Sequence, residues 1–135
     1  MELADINLMA VLVASAAYFA VGAVWYSPVL FAKQWQKELG KKEKDLKDGA
    51  TSARSVGGLT TLISVYVLAW FFDLLNVNSA VGGAITAAWI ALGFVITNSL
   101  MHAAYHGVSK KLWLINNGYN LLGFVVAGAV LGGWQ

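Results

Sequence analysis

The segment TNSLMHAAYHGVSKKLWLINNGYN, residues 97–120, decides how the rest of this chain is interpreted. It begins at the end of one apolar stretch, passes through a turn that contains Lys110 and Lys111, and enters a second apolar stretch. Apolar stretches of about 18 or more residues with few charges are typical of transmembrane helices. The segment therefore indicates two membrane spans joined by a short basic turn.

The composition of the whole chain supports this interpretation. Of 135 residues, 59% are hydrophobic and 12% are charged, whereas soluble domains have roughly 25% charged residues. Asp73 is the only charged residue between Val56 and Ser109. The chain has no cysteine, which excludes disulfides, thiolate metal sites and cysteine nucleophiles. We predict an all-α integral membrane protein made of a single domain.

The apolar stretches predict four spans. They lie at about residues 6–31, 56–75, 80–105 and 112–134. The first is longer than a helix needs to cross a hydrocarbon core of roughly 30 Å. We expect Pro28 to bend it, because proline cannot donate to the helical hydrogen-bond ladder.

The first connector, at about residues 33–54, is rich in charged residues. At its start, Phe31, Trp35 and Leu39 recur every four residues and so share one helix face, with lysines on the other. This spacing predicts a short amphipathic helix at the level of the lipid headgroups. Gly40 is expected to end it.

The basic residues predict the orientation in the membrane. All nine Lys and Arg residues lie in the first and third connectors, at about residues 33–54 and 107–111. Short loops rich in Lys and Arg stay on the cytoplasmic side. We therefore expect both of these loops in the cytoplasm and both termini outside.

Polar side chains gather in the cytoplasmic halves of the last two spans. Six of them form the candidate site: Asn98, His102, His106, Asn116, Asn117 and Asn120. Within each span they recur at intervals of about four residues, so they share one helix face. Neighbouring spans joined by a tight turn pack antiparallel. The two faces are therefore expected to meet in a hydrogen-bonded seam or a small polar cavity.

Two interpretations of this seam stay open. Its side chains could serve only helix packing, with hydrogen bonds that contribute typically about 0.6 kcal/mol each in membranes. They could instead contact an ion, a proton or a small polar solute. Two histidines four residues apart can also bind a metal or haem, but no carboxylate or cysteine stands nearby in sequence to complete the ligands. We predict neither a metal nor a cofactor.

Asp73 and a pair of glycines also have two interpretations each. Intramembrane carboxylates are functional candidates, but Asp73 lies near the outer end of the second span, where interfacial water favours a helix-end role. Gly128 and Gly132 have the G-x-x-x-G spacing of closely packed helices, either within the monomer or between copies. Four spans leave a large lipid-facing surface, so we expect a homo-oligomer embedded in the lipid bilayer.

Motifs for catalysis and for nucleic-acid binding are missing from the sequence. It contains no G-x-x-x-x-G-K-[ST], no G-x-S-x-G and no H-E-x-x-H. The basic connector has one Trp but no platform for stacking bases. We expect neither an enzyme nor a nucleic-acid-binding protein.

The end of the first span resembles a known family. Residues 22–28, GAVWYSP, followed by Phe31 and Trp35, are similar to the G-x-x-W-Y-S-P-x-x-F-x-x-x-W signature of an uncharacterised bacterial family, domain of unknown function 1761. Residues 113–120 and 128–134 are similar to its last span. The resemblance implies a four-span protein of the bacterial inner membrane with unassigned activity, and it supplies no catalytic residues.

The motif residues Trp25, Tyr26, Ser27 and Pro28 also have a structural interpretation. The rings would anchor the bend among headgroups, and the Ser27 hydroxyl would bond a carbonyl that Pro28 leaves unpaired. The alternative is a gate or a solute contact formed by Trp25 and Tyr26. Two functions therefore remain: an oligomeric channel-like or transporter-like protein with a polar seam for an ion or small solute, and a structural or accessory membrane protein.

Overall fold

The computed structural model describes residues 5–41 and 43–134, and every regular element within them is helical. The elements are α1 (Leu8–Trp25), α2 (Ala32–Leu39), α3 (Glu43–Asp48), α4 (Ala50–Leu75), α5 (Ala80–Ile90), a π-helical segment (Ala91–Ile96), α6 (Thr97–His106) and α7 (Lys110–Gly133). Four helices are long and apolar enough to cross a membrane: α1, α4, the continuous helix Ala80–His106, and α7. The predicted all-α membrane bundle of four spans is confirmed.

Large apolar side chains cover the outside of the molecule. Val81 is 70% exposed, Trp89 71% and Phe94 75%. In the most apolar part of each span, between 17% and 33% of the residues are buried inside the protein. Such a surface is matched to hydrocarbon, where apolar side chains need no protein cover.

The fourth span, α7, lies at the centre of the arrangement. The third span packs against one side of it and α1 against another, while α4 packs mainly on α1. The amide of Asn7 caps α1 by accepting from the Ala10 N–H at 3.1 Å, and it donates to the carbonyl of Trp134 at 3.2 Å. This contact ties the start of the first span to the end of the last one, so both lie on the same side.

The third and fourth spans approach each other most closely where both carry glycine. A Cβ atom added to Gly128 would lie 2.5 Å from the Cβ of Ala87 and closer still to the Gly83 carbonyl oxygen. Gly132 is likewise pressed against the backbone of Ser79 and Gly83. The G-x-x-x-G pair therefore packs helices within one copy of the chain, which answers the question left open by the sequence.

The first span is shorter than predicted, because the helix ends at Trp25 rather than bending at Pro28. A helical Pro28 would leave the Val24 carbonyl without its donor. The Ser27 hydroxyl donates to that carbonyl at 2.6 Å, as the motif suggests. Residues 26–31 then form a turn that leads into α2.

The predicted amphipathic helix is α2, and it lies against the start of α7. Trp35 is half-buried and Lys37 is exposed on the other side. Gly40 ends the helix with φ of 70°, a left-handed conformation that glycine adopts without strain. The Glu38 carboxylate accepts a hydrogen bond from the Ser109 hydroxyl at 2.7 Å. This bond fastens the first connector to the third.

The remaining connector boundaries also differ from the predicted ones. The second span, α4, begins at Ala50, six residues before the predicted start at Val56, so the last part of the predicted 33–54 connector is helical. The turn at 107–111 is shorter, because Ser109 caps α7 by accepting from the Leu112 N–H at 3.1 Å and Lys110 is already helical. These helical turns contain polar residues, so a hydropathy pattern does not show that they belong to the spans.

Candidate functional site

Two polar side chains of the fourth span, Asn116 and Asn120, bond to the first span rather than to the third. The Tyr26 hydroxyl donates to the Asn116 side-chain oxygen at 2.7 Å. One turn further along, the Tyr18 hydroxyl donates to the Asn120 side-chain oxygen at 3.3 Å. Tyr18 of the first span and Tyr26 at its end therefore bond the two asparagines for which the sequence predicted partners in the third span.

Asn117 is the most buried of the candidate residues, with 4% of its surface exposed. Its amide nitrogen donates to the Ser99 hydroxyl at 3.0 Å and to the Trp113 carbonyl at 2.9 Å. Its side-chain oxygen accepts from the Asn120 amide at 3.4 Å. A hydrogen-bonded row therefore runs from Ser99 through Asn117 and Asn120 to Tyr18, across three spans. We call these four residues the polar row.

The predicted contribution of the third span to this seam is wrong. Asn98, His102 and His106 are exposed, and within the described residues no hydrogen bond joins their side chains to α7. The two imidazole rings stack on each other with centroids 6.1 Å apart. Ser99, one residue beyond Asn98, is the side chain that reaches Asn117. Counting in steps of four assumed an uninterrupted α-helix, which the third span is not.

The π-helical segment is the physical reason for this shift. Gly83, Ala87 and Ala91 face the core at α-helical spacing, and continuing that spacing would bring Asn98 to the same face. A π-helical turn contains one more residue than an α-helical turn. Everything after Ile96 is therefore rotated, and Ser99 takes the inward position.

The W-Y-S-P motif joins the end of the first span to α7. The Trp25 indole N–H donates to the Ile115 carbonyl at 2.8 Å. Its ring lies over Gly118, where an added Cβ would be 2.8 Å from the nearest ring atom, and contacts Phe31 with ring centroids 4.7 Å apart. The Trp25 ring therefore contacts α7 on one side and Phe31 on another, in addition to any contact with headgroups.

An aromatic row continues this contact through the membrane. Tyr119 of α7 lies between Tyr18 and Tyr26, with ring centroids 5.3 Å and 5.5 Å away in edge-to-face geometry. Tyr26 in turn contacts Trp35 of α2 at 5.4 Å. Gly123 makes room for Tyr18, because a Cβ there would be 2.7 Å from the ring. The sequence contained one signal for this interface between α1 and α7: glycines in α7 lie at the same depth in the membrane as aromatic residues in α1.

A crevice of about 750 Å³ opens beside the aromatic row, between α1 and the first half of α4. It exists because α4 joins the core only in its second half. Val65, Leu68 and Phe72 are at most 3% exposed, whereas residues 51–56 are all exposed. The separated helices leave walls that are mainly apolar, including Phe19 and Gly57.

The mouth of the crevice carries positive charge and aromatic rings. Lys47 and Arg54 line it on the α3–α4 side, and Tyr26, Trp35 and Tyr119 line it on the other. An apolar cleft with a few convergent polar groups is the usual form of a small-molecule site. Neither cation was selected as a site residue from the sequence, because both lie in the predicted first connector, at about residues 33–54.

Asp73 lies at the opposite end of the molecule. It is exposed, two residues before the end of α4. Together with Asp5, Asn7 and Trp134 it lines a small crevice of about 60 Å³. Within residues 5–41 and 43–134, no three His, Asp or Glu side chains lie close enough together to hold a metal ion. The position of Asp73 agrees with a helix-end location.

The comparison with known families identifies the chain. Residues 9–132 match the family described as Protein of unknown function (DUF1761), so the chain belongs to that family. No curated protein and no solved structure matches it.

Proposed function

We propose that this member of the DUF1761 family is an accessory membrane protein that binds an anionic amphiphile in the crevice between α1 and α4. The polar row then serves helix packing, and the protein catalyses no reaction. The observation that carries the proposal is the pairing of an apolar cleft with two cationic side chains at its mouth.

The position of the crevice at one end of the spans fits a ligand with a charged head and an apolar tail. Arg54 lies roughly 31 Å along α4 from its last residue, Leu75. This distance matches a hydrocarbon core of about 30 Å, so the guanidinium group sits at the level of the headgroups. An acyl chain would lie against the apolar wall that includes Phe19 and Gly57, below the charged mouth.

The chemistry of the mouth favours phosphate or carboxylate as the charged head. Guanidinium groups bind both in a bidentate manner, with charge-assisted hydrogen bonds that are stronger than neutral ones. Tyr26 and Tyr119 add amphipathic rings that carry hydroxyl groups, and such rings are suited to the interface between lipid and water. By the distribution of basic residues, this mouth faces the cytoplasm and both termini lie outside. That orientation is part of the proposal.

The binding proposal predicts a loss of headgroup preference when Arg54 is neutralised. In nanodiscs, native mass spectrometry would compare phosphatidylglycerol with phosphatidylcholine of the same acyl chains. We expect an anionic preference of roughly tenfold, equivalent to about 1.4 kcal/mol, that disappears in Arg54→Gln. Gly57→Leu should weaken binding of both lipids, because its side chain would fill the crevice beside Phe19.

The matched control is Lys37→Gln, which removes one charge from the exposed side of α2. It should keep the preference, since Lys37 lies outside the crevice. Competition by inorganic phosphate would identify a free anion, rather than a lipid, as the ligand. Equal loss in Lys37→Gln and Arg54→Gln would refute the proposed site and leave only general surface charge.

Transport is the second candidate function, and the continuous hydrogen-bonded row from Ser99 to Tyr18 favours it. A solute or ion path would have to open these bonds. The packing role has a different consequence, because then the side chains stabilise the fold and nothing moves along them.

A double-mutant cycle on Tyr18→Phe and Asn120→Leu separates the two roles. For packing we expect each change to lower the unfolding free energy, with a coupling of about 0.6 kcal/mol and at most roughly 1.7. Ion flux in liposomes should be the same in all four proteins. A flux that is present in the parent protein and lost in Asn120→Leu, with stability unchanged, would establish transport.

A further inference from the structure

An exposed stripe on the third span combines polar side chains with Met101. Asn98 and His102 are exposed, and they share a helix face with Met101 and Tyr105, which are 50% and 86% exposed. We call these four residues the third-span stripe. Within the described part of the chain, no hydrogen bond reaches the side chain of Asn98 or His102.

The position of Asn98 along the helix makes its exposure costly. It lies eight residues before His106, the last residue of α6, which places it about 12 Å inside the end of that helix. A primary amide without a partner in hydrocarbon costs several kcal/mol. Unlike a lysine at a helix end, a short asparagine side chain cannot extend to the headgroups. The amide therefore needs a partner that this copy of the chain does not provide.

The π-helical segment is what turns this amide outward. An uninterrupted α-helix would have put Asn98 on the face that packs against α7, where polar partners exist. Instead the segment places it on the surface, and the Thr97 hydroxyl donates to the Gly93 carbonyl at 2.7 Å within the distorted turn. π-helical turns occur frequently at functional sites. Within the monomer the rotation brings Ser99 to Asn117, but it leaves the Asn98 side chain without a partner among the described residues.

We infer that the third-span stripe is the contact surface between two copies of this chain, related by a twofold axis parallel to the bilayer normal. Copies of a membrane protein insert in the same orientation, so such an axis brings each residue to its own counterpart at the same depth. An asparagine amide has both donors and an acceptor, and it can therefore pair with its own copy. A neutral imidazole likewise has one donor and one acceptor. Acyl chains offer neither.

The absence of cysteine from the sequence allows a clean cross-linking test. Met101→Cys lies on the stripe, whereas Leu100→Cys lies at nearly the same depth on the other exposed side of α6 and is the matched control. Each purified variant is reconstituted alone in liposomes and oxidised. We expect disulfide-linked dimers of twice 14.4 kDa from Met101→Cys and none from Leu100→Cys.

The role of the amide is tested by adding Asn98→Leu to Met101→Cys. Loss of the paired amides should raise the dimer dissociation constant in the bilayer by about tenfold, with the monomer still folded by its fluorescence spectrum. Equal cross-linking at both positions, or none at Met101→Cys, would overturn the inference. So would a cross-link that forms only in native membranes with a mass other than twice that of the chain, because the partner would then be a different protein.

Discussion

Gly83→Ala is expected to lower the free energy of unfolding by about 3 kcal/mol, the upper end of the usual cost of overpacking. The added methyl group would overlap the carbonyl oxygen of Gly128 and come within 3.1 Å of the Cα of Gly132. These are backbone atoms, which cannot rotate away as a side chain can. The third and fourth spans would have to separate, and the close approach of Ala87 to Gly128 along the same interface would loosen with them.

Gly93→Ala is the matched control, since it makes the same change in the same span. Apart from its chain neighbours and the backbone of its own helix, no heavy atom lies within 4 Å of the position of its added Cβ, and alanine favours helix over glycine by about 1 kcal/mol. We expect its stability to equal or exceed that of the parent protein. Thermal unfolding in detergent, followed by tryptophan fluorescence, measures both. Similar losses in the two variants would mean that helix propensity, and not close approach, controls the stability of this interface.

The sequence predicted the parts of the fold that depend on hydropathy. The number and order of the spans and the helix that ends at Gly40 follow directly from apolar stretches and residue spacing. The end of the first helix was placed too late, because the effect of Pro28 was assigned to the proline itself. In the structure the helix stops at Trp25, three residues before Pro28 and six before the predicted end of the span at residue 31.

Which faces meet could not be predicted from the same information. The polar face of the third span was assigned by counting in fours, and a single π-helical segment rotated it so that Ser99 replaced Asn98. Nothing in the composition of ALGFVI, residues 91–96, marks it as π-helical. The partners of Asn116 and Asn120 were missed for a second reason. Neighbours in sequence were assumed to be neighbours in hydrogen bonding.

The crevice was also beyond the sequence, because it depends on how far α4 departs from α1. The residues at its mouth had been divided between a charged loop and an aromatic motif. Only the packing of Phe72 and Val65 at one end of α4, without equivalent contacts at the other, brings Arg54 opposite Tyr26 and leaves space between them. A crevice of this kind forms where helices fail to pack together, which a hydropathy pattern does not report.

Trp25→Ala is expected to destabilise the protein by about 3–5 kcal/mol, the usual cost of removing a large packed aromatic side chain. The change removes the hydrogen bond to the Ile115 carbonyl, the ring contact with Phe31 and the surface that fills the space over Gly118. Trp25→Phe keeps part of the ring and should cost less than half as much. If Trp25 is instead a gate, the alanine variant would keep its melting temperature and increase ion flux in liposomes.

A Gly118→Ala variant gives an independent check of the Trp25 contact, since its methyl group would meet the same indole at 2.8 Å. In the Trp25→Ala background that clash is gone, so adding Gly118→Ala should then cost little or recover some stability. Additive losses from the two substitutions would show that the ring and the glycine do not pack together in the membrane.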